Sequence, residues 1–353
     1  NTQKQASLCY KKLSMSKKDL SASLKTGFKN FKDLSKVFQN FKTKLDKLNK
    51  KSYLVAVSGG PDSLALVALS KAYTFHKKSK FHYILVDHKI REKSSQEAKK
   101  VKSLLKRKKI NLKILIIKKK ILKNIQAEAR NLRYEILIKY CKKHKIQTVL
   151  TAHNLEDQVE TFLIRLSRGS GLKGLSAMKV LSSIDTKVKL FRPLLDVKKY
   201  FLIKISKNIF GTYIKDPSNQ NIKFLRTKVR NLKKHLEKSG IKYEQIFRSI
   251  QNLSSSKNTL EGYLSKIFKK IIKKKKNEIS INFKKYQKLT YDVKLALINV
   301  SIKKLKKNYY DVRSKKVANL IESLDKKNFK KSTLGGCIFF KKNNNLCLKV
   351  EKL

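Results

Sequence analysis

The chain has 353 residues, enough for one large domain or two to three smaller ones, and its 87 basic and 24 acidic residues give a net charge of +63. Such a charge favours nucleic acid as a partner over an acidic membrane surface, and no apolar run reaches the roughly 18 residues of a membrane-spanning helix. The four cysteines, Cys9, Cys141, Cys337 and Cys347, form no Cys-x-x-Cys pair, which disfavours a thiolate metal site and is typical of a reducing compartment.

Residues 1–45 are predicted to be a basic leader followed by a helix that begins near residue 34. The first 33 residues are basic, contain several serines and nearly lack acids, as organellar transit peptides do, but they contain no arginine. We therefore interpret them as a solvated leader. The expected location is the cytoplasm, with an organelle matrix as the alternative.

A glycine turn between an apolar run and a helical run is the most informative stretch. Leu54–Val57 predicts a strand, Ser58-Gly59-Gly60-Pro61-Asp62-Ser63 a tight turn, and Leu64–Leu69 the start of a helix. A strand, a glycine loop and a helix N-terminus in that order build an anion site, and glycine lets the ligand approach the backbone closely. Asp62 suits Mg²⁺ bound to ATP. The spacing of a Walker loop is absent, and an ordinary turn with a serine cap is the alternative.

Strands and helices then alternate along the chain. Strands are predicted at 81–86, 110–117 and 148–150, and helices at 95–109, 124–144 and 154–167. This alternation predicts an α/β fold with a parallel sheet that is covered on both faces. Ligands of such sheets bind beyond the carboxyl ends of the strands. Three polar clusters fall at such ends and are expected to meet in one crevice: Ser58–Ser63, Asp87-His88 and Thr151–His153.

The stretch from Thr151 to Met178 carries further candidates. His153, Asp157, Glu160 and Thr161 have the spacing of one helix face, although a lone histidine at a helix start is often only a cap. The turn that follows, Arg168-Gly169-Ser170-Gly171, has the size to hold a phosphate.

Arginine is rare in this lysine-rich chain, at 11 residues against 76 lysines, so its positions are informative. Arginine grips phosphate with two parallel hydrogen bonds, which lysine cannot do. Five arginines within the motif-like stretches are predicted to contact phosphate or nucleic acid: Arg130, Arg133, Arg192, Arg226 and Arg230. For Arg130 and Arg133 a plain surface pair is the alternative.

The composition changes after about residue 241. A basic amphipathic helix is predicted at 260–276, further helices at 285–307 and 311–325, and a final pair of apolar runs that could form a hairpin. Tyrosines alternate with lysines here, at Tyr263, Tyr286, Tyr291, Tyr309 and Tyr310. Rings among cations suit the stacking of single-stranded RNA bases, and a small helical domain with tyrosines in its core is the alternative.

Several motifs resemble known families. Ser58–Ser63 resembles the pyrophosphate loop (PP-loop) of the N-type ATP pyrophosphatases. Over about residues 50–240 the chain is similar to the tRNA(Ile)-lysidine synthetases, through the motifs that begin at Ala129 and Ala152, through Arg192–Leu195, and through Asp216-Pro217-Ser218-Asn219. Asn154 departs from the pattern, because the family often has a second histidine there.

The resemblance implies a doubly wound, Rossmann-like parallel sheet with a smaller, mainly helical C-terminal domain. The adenylation domain is expected at 46–212, a connecting helical segment at 213–245, and a tRNA-binding domain at 246–353.

The resemblance also implies an ATP-dependent ligase with Mg²⁺ as its cofactor. The wobble cytidine of tRNA(Ile) with a CAU anticodon would be adenylated, and L-lysine would then displace AMP to give lysidine. No membrane partner is expected, and a homodimer is possible.

The resemblance implies roles for individual residues. Catalytic roles fall to Asp62, His153 and Asp157, with Asp62 also on Mg²⁺. Binding of ATP or pyrophosphate falls to Ser58, Gly59, Gly60, Pro61, Asp62, Ser63, Asp87, His88, Arg168, Gly169, Ser170 and Gly171. The alternatives are a 2-thiolating tRNA enzyme, a small-metabolite amidating synthetase and a non-catalytic RNA-binding protein.

Overall fold

The computed structural model describes residues 32–89, 93–117, 125–214, 224–275, 277–306, 312, 314–326 and 328–351. The chain divides into two compact units, Asn1–Leu253 and Ser254–Leu353. Most of the predicted leader, the Asp216–Asn219 motif and the pair Tyr309-Tyr310 lie outside the described residues. None of the described helices is long and apolar enough to cross a membrane.

The first unit is built on a six-stranded sheet with the order β3-β2-β1-β4-β6-β5. Every neighbouring pair is parallel except β5 with β6. Its strands are β1 Ser52–Val57, β2 Lys80–Asp87, β3 Leu112–Ile116, β4 Thr148–Leu150, β5 Leu181–Ser183 and β6 Lys189–Phe191. Its helices are α1 Lys32–Leu48, α2 Pro61–Tyr73, α3 Ser94–Arg107, α4 Ile125–Lys143, α5 Leu155–Leu166, α6 Leu172–Leu175, α7 Lys199–Phe210, α8 Leu225–Asn231 and α9 Lys233–Lys238.

Both faces of the sheet are covered, as the doubly wound fold requires. Tyr53, Val55 and Val57 of β1 pack into a cluster with α1, α2, α3 and α7, whereas Leu54 packs on the other face against α4. The alternation of side chains along a strand explains why every residue of Tyr53–Val55 is buried. The predicted fold is confirmed.

The topology fixes where a ligand can bind. The chain leaves β1 for β2 on one side, and β4 later joins β1 on the other side. The strand order therefore reverses at β1, and the loops that follow β1 and β4 diverge there to leave a crevice at the carboxyl edge.

The second unit contains the predicted helices and also a five-stranded antiparallel sheet with the order β7-β8-β11-β10-β9. The sequence predicted only its last hairpin. The elements are the C-terminal part of α10 Tyr243–Ile271, then β7 Ile272–Lys274, β8 Glu278–Asn282, α11 Phe283–Gln287, α12 Tyr291–Leu305, α13 Ser314–Asp325, β9 Lys331–Leu334, β10 Cys337–Lys342 and β11 Asn345–Val350.

Two expectations for this region need correction. The helix predicted at 260–276 ends at Ile271, because Ile272–Lys274 pairs with β8 instead. Tyr286 is fully buried in the core of the second unit and cannot stack on RNA, whereas Tyr263 and Tyr291 are exposed.

Candidate active site

The loop after β1 is held in shape by Ser63. The Ser63 hydroxyl accepts hydrogen bonds from the backbone N–H groups of Ser58 and Gly59, at 3.2 and 3.1 Å, and from the Ser58 hydroxyl at 3.1 Å. It donates to the Gly60 carbonyl at 3.0 Å. Ser63 therefore serves the loop itself, and the more exposed Ser58 remains the hydroxyl nearer to solvent.

Gly59 and Pro61 shape the same loop. Gly59 has a φ of +86°, and a Cβ built there would meet a Val101 methyl carbon at 2.5 Å, so only glycine fits. Pro61 occupies the first turn of α2, where its missing N–H costs nothing. The loop therefore has an ordered conformation at the N-terminus of α2, where an anion can bind.

Asp62 points from this loop toward the start of α5. Its Oδ1 is buried and has no hydrogen-bond partner among the described residues. The pKa of Asp62 is raised to about 7, mainly by burial; Lys199 and a hydrogen bond with Asn154 oppose the rise, and Asp157 and Glu156 add to it. A buried carboxylate oxygen without a donor is a place for a cation.

The N-terminus of α5 carries a reciprocal cap. The Asn154 amide oxygen accepts from the backbone N–H of Asp157 at 2.9 Å, and the Asp157 carboxylate accepts from the backbone N–H of Asn154 at 3.1 Å. This capping box gives Asn154, the departure from the family pattern, a structural role. It also fixes Asp157 beside Asp62.

Two arginines of α8 bind carboxylates of α5. Glu160 is almost fully buried and accepts from the Nε atoms of Arg226 and Arg230, both at 2.8 Å. Arg226 also donates to Asp157 at 2.9 Å. We call Asp157, Glu160, Arg226 and Arg230 the α5–α8 ion cluster. These arginines were predicted to contact phosphate or nucleic acid, whereas in the structure they form ion pairs with the carboxylates of α5.

His153 precedes α5 and is neutral. Its Nδ1 lies 2.9 Å from the Thr151 hydroxyl oxygen. The pKa of His153 is lowered to about 3, mainly by burial and then by Arg192, Arg130, Arg226 and Arg133 in that order. The imidazole therefore lies in a positive field at the carboxyl edge of β4.

Asp87 and His88, at the end of β2, have different surroundings. Asp87 accepts from the hydroxyls of Ser94 and Ser95, at 2.8 and 2.6 Å, and from the backbone N–H of Lys89. Burial alone would raise the pKa of Asp87, but these hydrogen bonds hold it below its usual range. Asp87 thus links the end of β2 to the start of α3.

His88 lies beside Arg133 of α4. Its Nε2 accepts a hydrogen bond from the Arg133 Nε at 3.1 Å. Burial and Arg133 lower the pKa of His88 to about 4, so it is neutral at physiological pH.

The Arg168–Gly171 turn follows the C-terminus of α5, at the other end of the helix from Asp157. A helix of 12 residues is about 18 Å long. Arg165 holds the segment beyond the turn by donating to the carbonyls of Gly174 and Ala177, at 2.7 and 3.0 Å. No hydrogen bond or ion pair among the described residues joins this turn to the loop after β1.

Arg130 and Arg192 are the remaining predicted contacts. Arg130 is exposed and lies over the ring of Tyr134. Arg192, directly after β6, is buried and donates to the Lys179 carbonyl and the Ser182 hydroxyl, at 2.8 and 2.9 Å. Its Nε is buried without a partner among the described residues.

Sequence reasoning did not assign a role to Glu160 or find the α5–α8 ion cluster. The signal that could have shown it is a pair of complementary spacings. Asp157 and Glu160 lie three residues apart, and Arg226 and Arg230 lie four apart, so each pair faces one side of its helix.

Comparison with known proteins agrees with this arrangement. A family model described as a PP-loop domain matches residues 33–236. Among curated proteins, the tRNA(Ile)-lysidine synthase of Orientia tsutsugamushi is 40% identical over 183 residues, 52% of this chain and 41% of that protein. The enzyme of the same name from the Wolbachia of Brugia malayi is 32% identical over 269 residues, 75% of this chain and 62% of that protein.

The chain spans about half the length of the curated relatives it matches. These relatives confirm the resemblance that the sequence motifs indicated. Among solved structures, the U34-tRNA thiolase NcsA of Methanococcus maripaludis, with its [4Fe-4S] cluster, matches with a TM-score of 0.53. It is 20% identical, and the match covers 63% of this chain and 80% of that chain, which is a likeness of fold.

Proposed function

The chain belongs to the PP-loop family, and we propose that it is an ATP-dependent ligase that joins free L-lysine to C2 of the wobble cytidine in tRNA(Ile) with a CAU anticodon. One observation carries the proposal. The loop that begins at Ser58 carries Asp62, which interacts with Asn154 and Asp157 at the N-terminus of α5, and the neutral His153 directly precedes Asn154. The curated relatives that bear this activity in their name support the choice of substrate.

In the proposed first step the O2 atom of cytidine attacks the α-phosphate of ATP, and pyrophosphate leaves. Negative charge grows on the phosphate oxygens as this bond breaks. The N–H groups at the start of α2 and the guanidinium of Arg192 are fixed donors that would stabilise it. Because Ser63 has already ordered the loop, little reorganisation is needed when the pyrophosphate binds.

The residues at the loop fit a magnesium ion. The unpartnered buried oxygen of Asp62 offers one carboxylate ligand, and Mg²⁺ in phosphate-transfer sites commonly takes one or two carboxylates together with substrate phosphates. Bound there, the ion would neutralise charge on the ATP phosphates. Asp62 itself would hold it and keep the phosphates at the helix N-terminus.

In the proposed second step the ε-amine of lysine attacks C2 of the adenylated cytidine, AMP leaves and the amine loses a proton. Lysine in solution carries a positive charge but must attack as a neutral amine. Asp157 would attract the charged form into the crevice, and the proton that the amine loses would pass to Asp157 or to the neutral His153. Both groups lie at the start of α5, on the same edge as the loop.

The remaining predicted contacts are proposed to face RNA. Arg130 is exposed, and Arg133 is exposed beside His88. We propose the cytoplasm as the place of action, because free lysine, ATP and unmodified tRNA meet there.

A 2-thiolation activity is the nearest alternative, since the thiolase shares the fold. The described cysteines favour the ligase. Cys141 is buried in α4 within the core, and Cys337 and Cys347 lie in the second unit. None of these three thiols follows the carboxyl end of a strand in the first sheet.

The products of ATP cleavage test the proposal. We expect AMP and pyrophosphate, formed only when Mg²⁺ and an unmodified CAU-anticodon tRNA are both present. The matched control is the same tRNA with uridine in place of the wobble cytidine, which should leave ATP intact. Release of ADP and inorganic phosphate would contradict the mechanism.

A further inference from the structure

The second unit has a sheet face that is basic and carries one aromatic ring. Strand alternation turns Phe339 and Leu348 into the core of the unit, and their neighbours Ile338 and Phe340 therefore point the other way. Ile338 and Phe340 are both partly exposed. The apolar cluster formed with α10, α12 and α13 includes neither of them among the described residues.

The registers of the five strands define the whole of this outer face. Its described members are Lys273, Glu278, Ser280, Asn282, Lys331, Thr333, Ile338, Phe340, Lys342, Asn345, Cys347 and Lys349. Four are lysines, and Glu278 is the one acid among these described positions. The charge is therefore complementary to a polyanion, and Phe340 lies on β10, next to the edge strand, between Lys331 and Cys347.

We propose that this outer face binds a single-stranded segment of RNA, with one base stacked on Phe340 and the phosphates held by Lys331 and Lys349. Unstacked bases of RNA loops bind to aromatic side chains on sheet faces, and cations along the same groove meet the backbone. The inference rests on the proposed function, because the RNA is the same tRNA.

Lys349 does not prevent such stacking. Its ammonium lies 5.5 Å from the centre of the Phe340 ring. A cation over an exposed ring is a weaker contact than a stacked base, so a base displaces it. The freed ammonium is then beside the backbone phosphate of that nucleotide.

This face differs from the site that the sequence indicated. The tyrosine–lysine pattern predicted stacking on the helices, where Tyr263 of α10 is exposed. An isolated exposed ring on a helix offers no row of neighbouring strands along which a nucleotide chain can lie. The sheet face offers a ring and cations on adjacent strands about 4.8 Å apart.

Tryptophan fluorescence tests the two positions directly, because the chain contains no tryptophan. Phe340→Trp and Tyr263→Trp each give a protein with a single indole. Each full-length variant is titrated with the unmodified CAU-anticodon tRNA, and unchanged melting curves establish that it folds. We expect strong quenching of the indole in Phe340→Trp and little in Tyr263→Trp.

Binding measurements complete the test. Phe340→Ala should weaken tRNA binding by roughly 5- to 100-fold, and Lys349→Gln should lower the log–log salt slope by about 0.7. Phe340→Leu keeps an apolar side chain without a ring and should behave like Phe340→Ala. An unquenched Phe340→Trp indole in a protein that binds tRNA would overturn the inference. A Phe340 variant whose oligomeric state changes while its affinity for tRNA does not would overturn it as well.

The same series separates this inference from the proposed function. Wild-type protein that attaches lysine while its Phe340 variants bind tRNA normally shows that the function stands and the sheet face is wrong. If the wild-type protein binds tRNA through Phe340 but attaches no lysine, the sheet face is right and the proposed function is wrong.

Discussion

At the residue scale, neighbouring side chains of one loop have separate tasks. Ser63 ties the backbone, through three hydrogen bonds that it accepts and one that it donates. Asp62, one residue earlier, leaves a buried oxygen unpaired and faces the acids of α5. A carboxylate kept in such surroundings destabilises the free protein, which is typical of a group retained for its ligand.

Asp62→Asn is expected to abolish ATP cleavage and to stabilise the protein at alkaline pH without Mg²⁺. Folding raises the pKa of Asp62 from 3.8 to about 7, so the folded chain binds more protons between these values and loses stability as the pH rises through them. The amide does not ionise and should be more stable at pH 8 by ~1–2 kcal/mol, after a discount for partial exposure. Urea unfolding at pH 5 and pH 8 measures the difference.

The control for this variant is Asp196→Asn, which removes a surface pair with Lys44 and should leave ATP cleavage intact. If Asp62→Asn turned over ATP at the wild-type rate, Asp62 would be only a turn residue.

The roles of single residues were also the least predictable from the sequence. The hexapeptide from Ser58 to Ser63 indicated an anion loop, because the motif is local. It did not indicate that the Ser63 hydroxyl forms its hydrogen bonds within the loop, because those bonds depend on how the turn folds. Asp87 is similar, because its three donors lie two to eight residues further along the chain and only the fold brings them together.

At the element scale, the α5–α8 ion cluster joins two helices whose paired residues lie 66 to 70 positions apart. Strands β1 to β4 and helices α1 to α5 could be predicted because hydrophobic periodicity is local. Strands β5 and β6 and helices α6 and α7 were not predicted, and α8 and α9 were expected only as part of a connecting helical segment. The pairing of Glu160 with Arg226 and Arg230 could not be predicted, since two helices of opposite charge have many possible partners. The Arg168–Gly171 turn was a local motif as well, but its distance from the loop depends on the direction of α5.

Glu160→Gln is expected to release α8 from α5. The change leaves two arginines without their shared carboxylate, which should cost about 1–3 kcal/mol, because the arginines are themselves partly exposed. It should also free Arg226 from its fixed position beside Asp157 and reduce lysine attachment more than ATP cleavage. Asp196→Asn, which removes a surface pair, should cost less than about 1 kcal/mol. Equal stability of the two variants would show that the cluster does not hold the helices together.

The C-terminal sheet shows a second limit of sequence reasoning at this scale. The alternation of apolar and polar residues in Cys337–Lys342 was visible in the sequence, but that in Ile272–Lys274 was lost in a basic run. The run continued the pattern of a helix, and only pairing with β8 makes it a strand.

At the scale of the whole molecule, the charge is spread over both units and does not by itself locate the RNA. The boundary between the units falls after Leu253, inside α10. Tyr243 and Ile250 are buried against Leu155 and Val159, so the first turns of α10 complete the core beneath the proposed active site.

A chain that ends at Leu253 is therefore expected to fold and bind ATP but to lose most of its affinity for tRNA. It keeps every described residue of the loop and of α5, and it lacks the outer face of the second sheet. Affinity measured across a salt series should show a smaller slope than that of the full chain, by about 0.7–0.9 for each lost phosphate contact.

A chain that ends at Gly240 is the matched control. It exposes Leu155 and Val159, because it lacks the residues of α10 that bury them, and should melt at a lower temperature than the chain ending at Leu253. If the chain ending at Leu253 kept full affinity and preference for the CAU-anticodon tRNA, recognition would lie in the first unit.

The most direct test of the central claim is the attachment of radiolabelled lysine to unmodified tRNA(Ile) with a CAU anticodon. The full chain with ATP and Mg²⁺ should transfer label to this tRNA, and Asp62→Asn should transfer none. The same tRNA with uridine at the wobble position should remain unlabelled. Failure to label the cytidine-bearing tRNA, or equal labelling of both, would contradict the account.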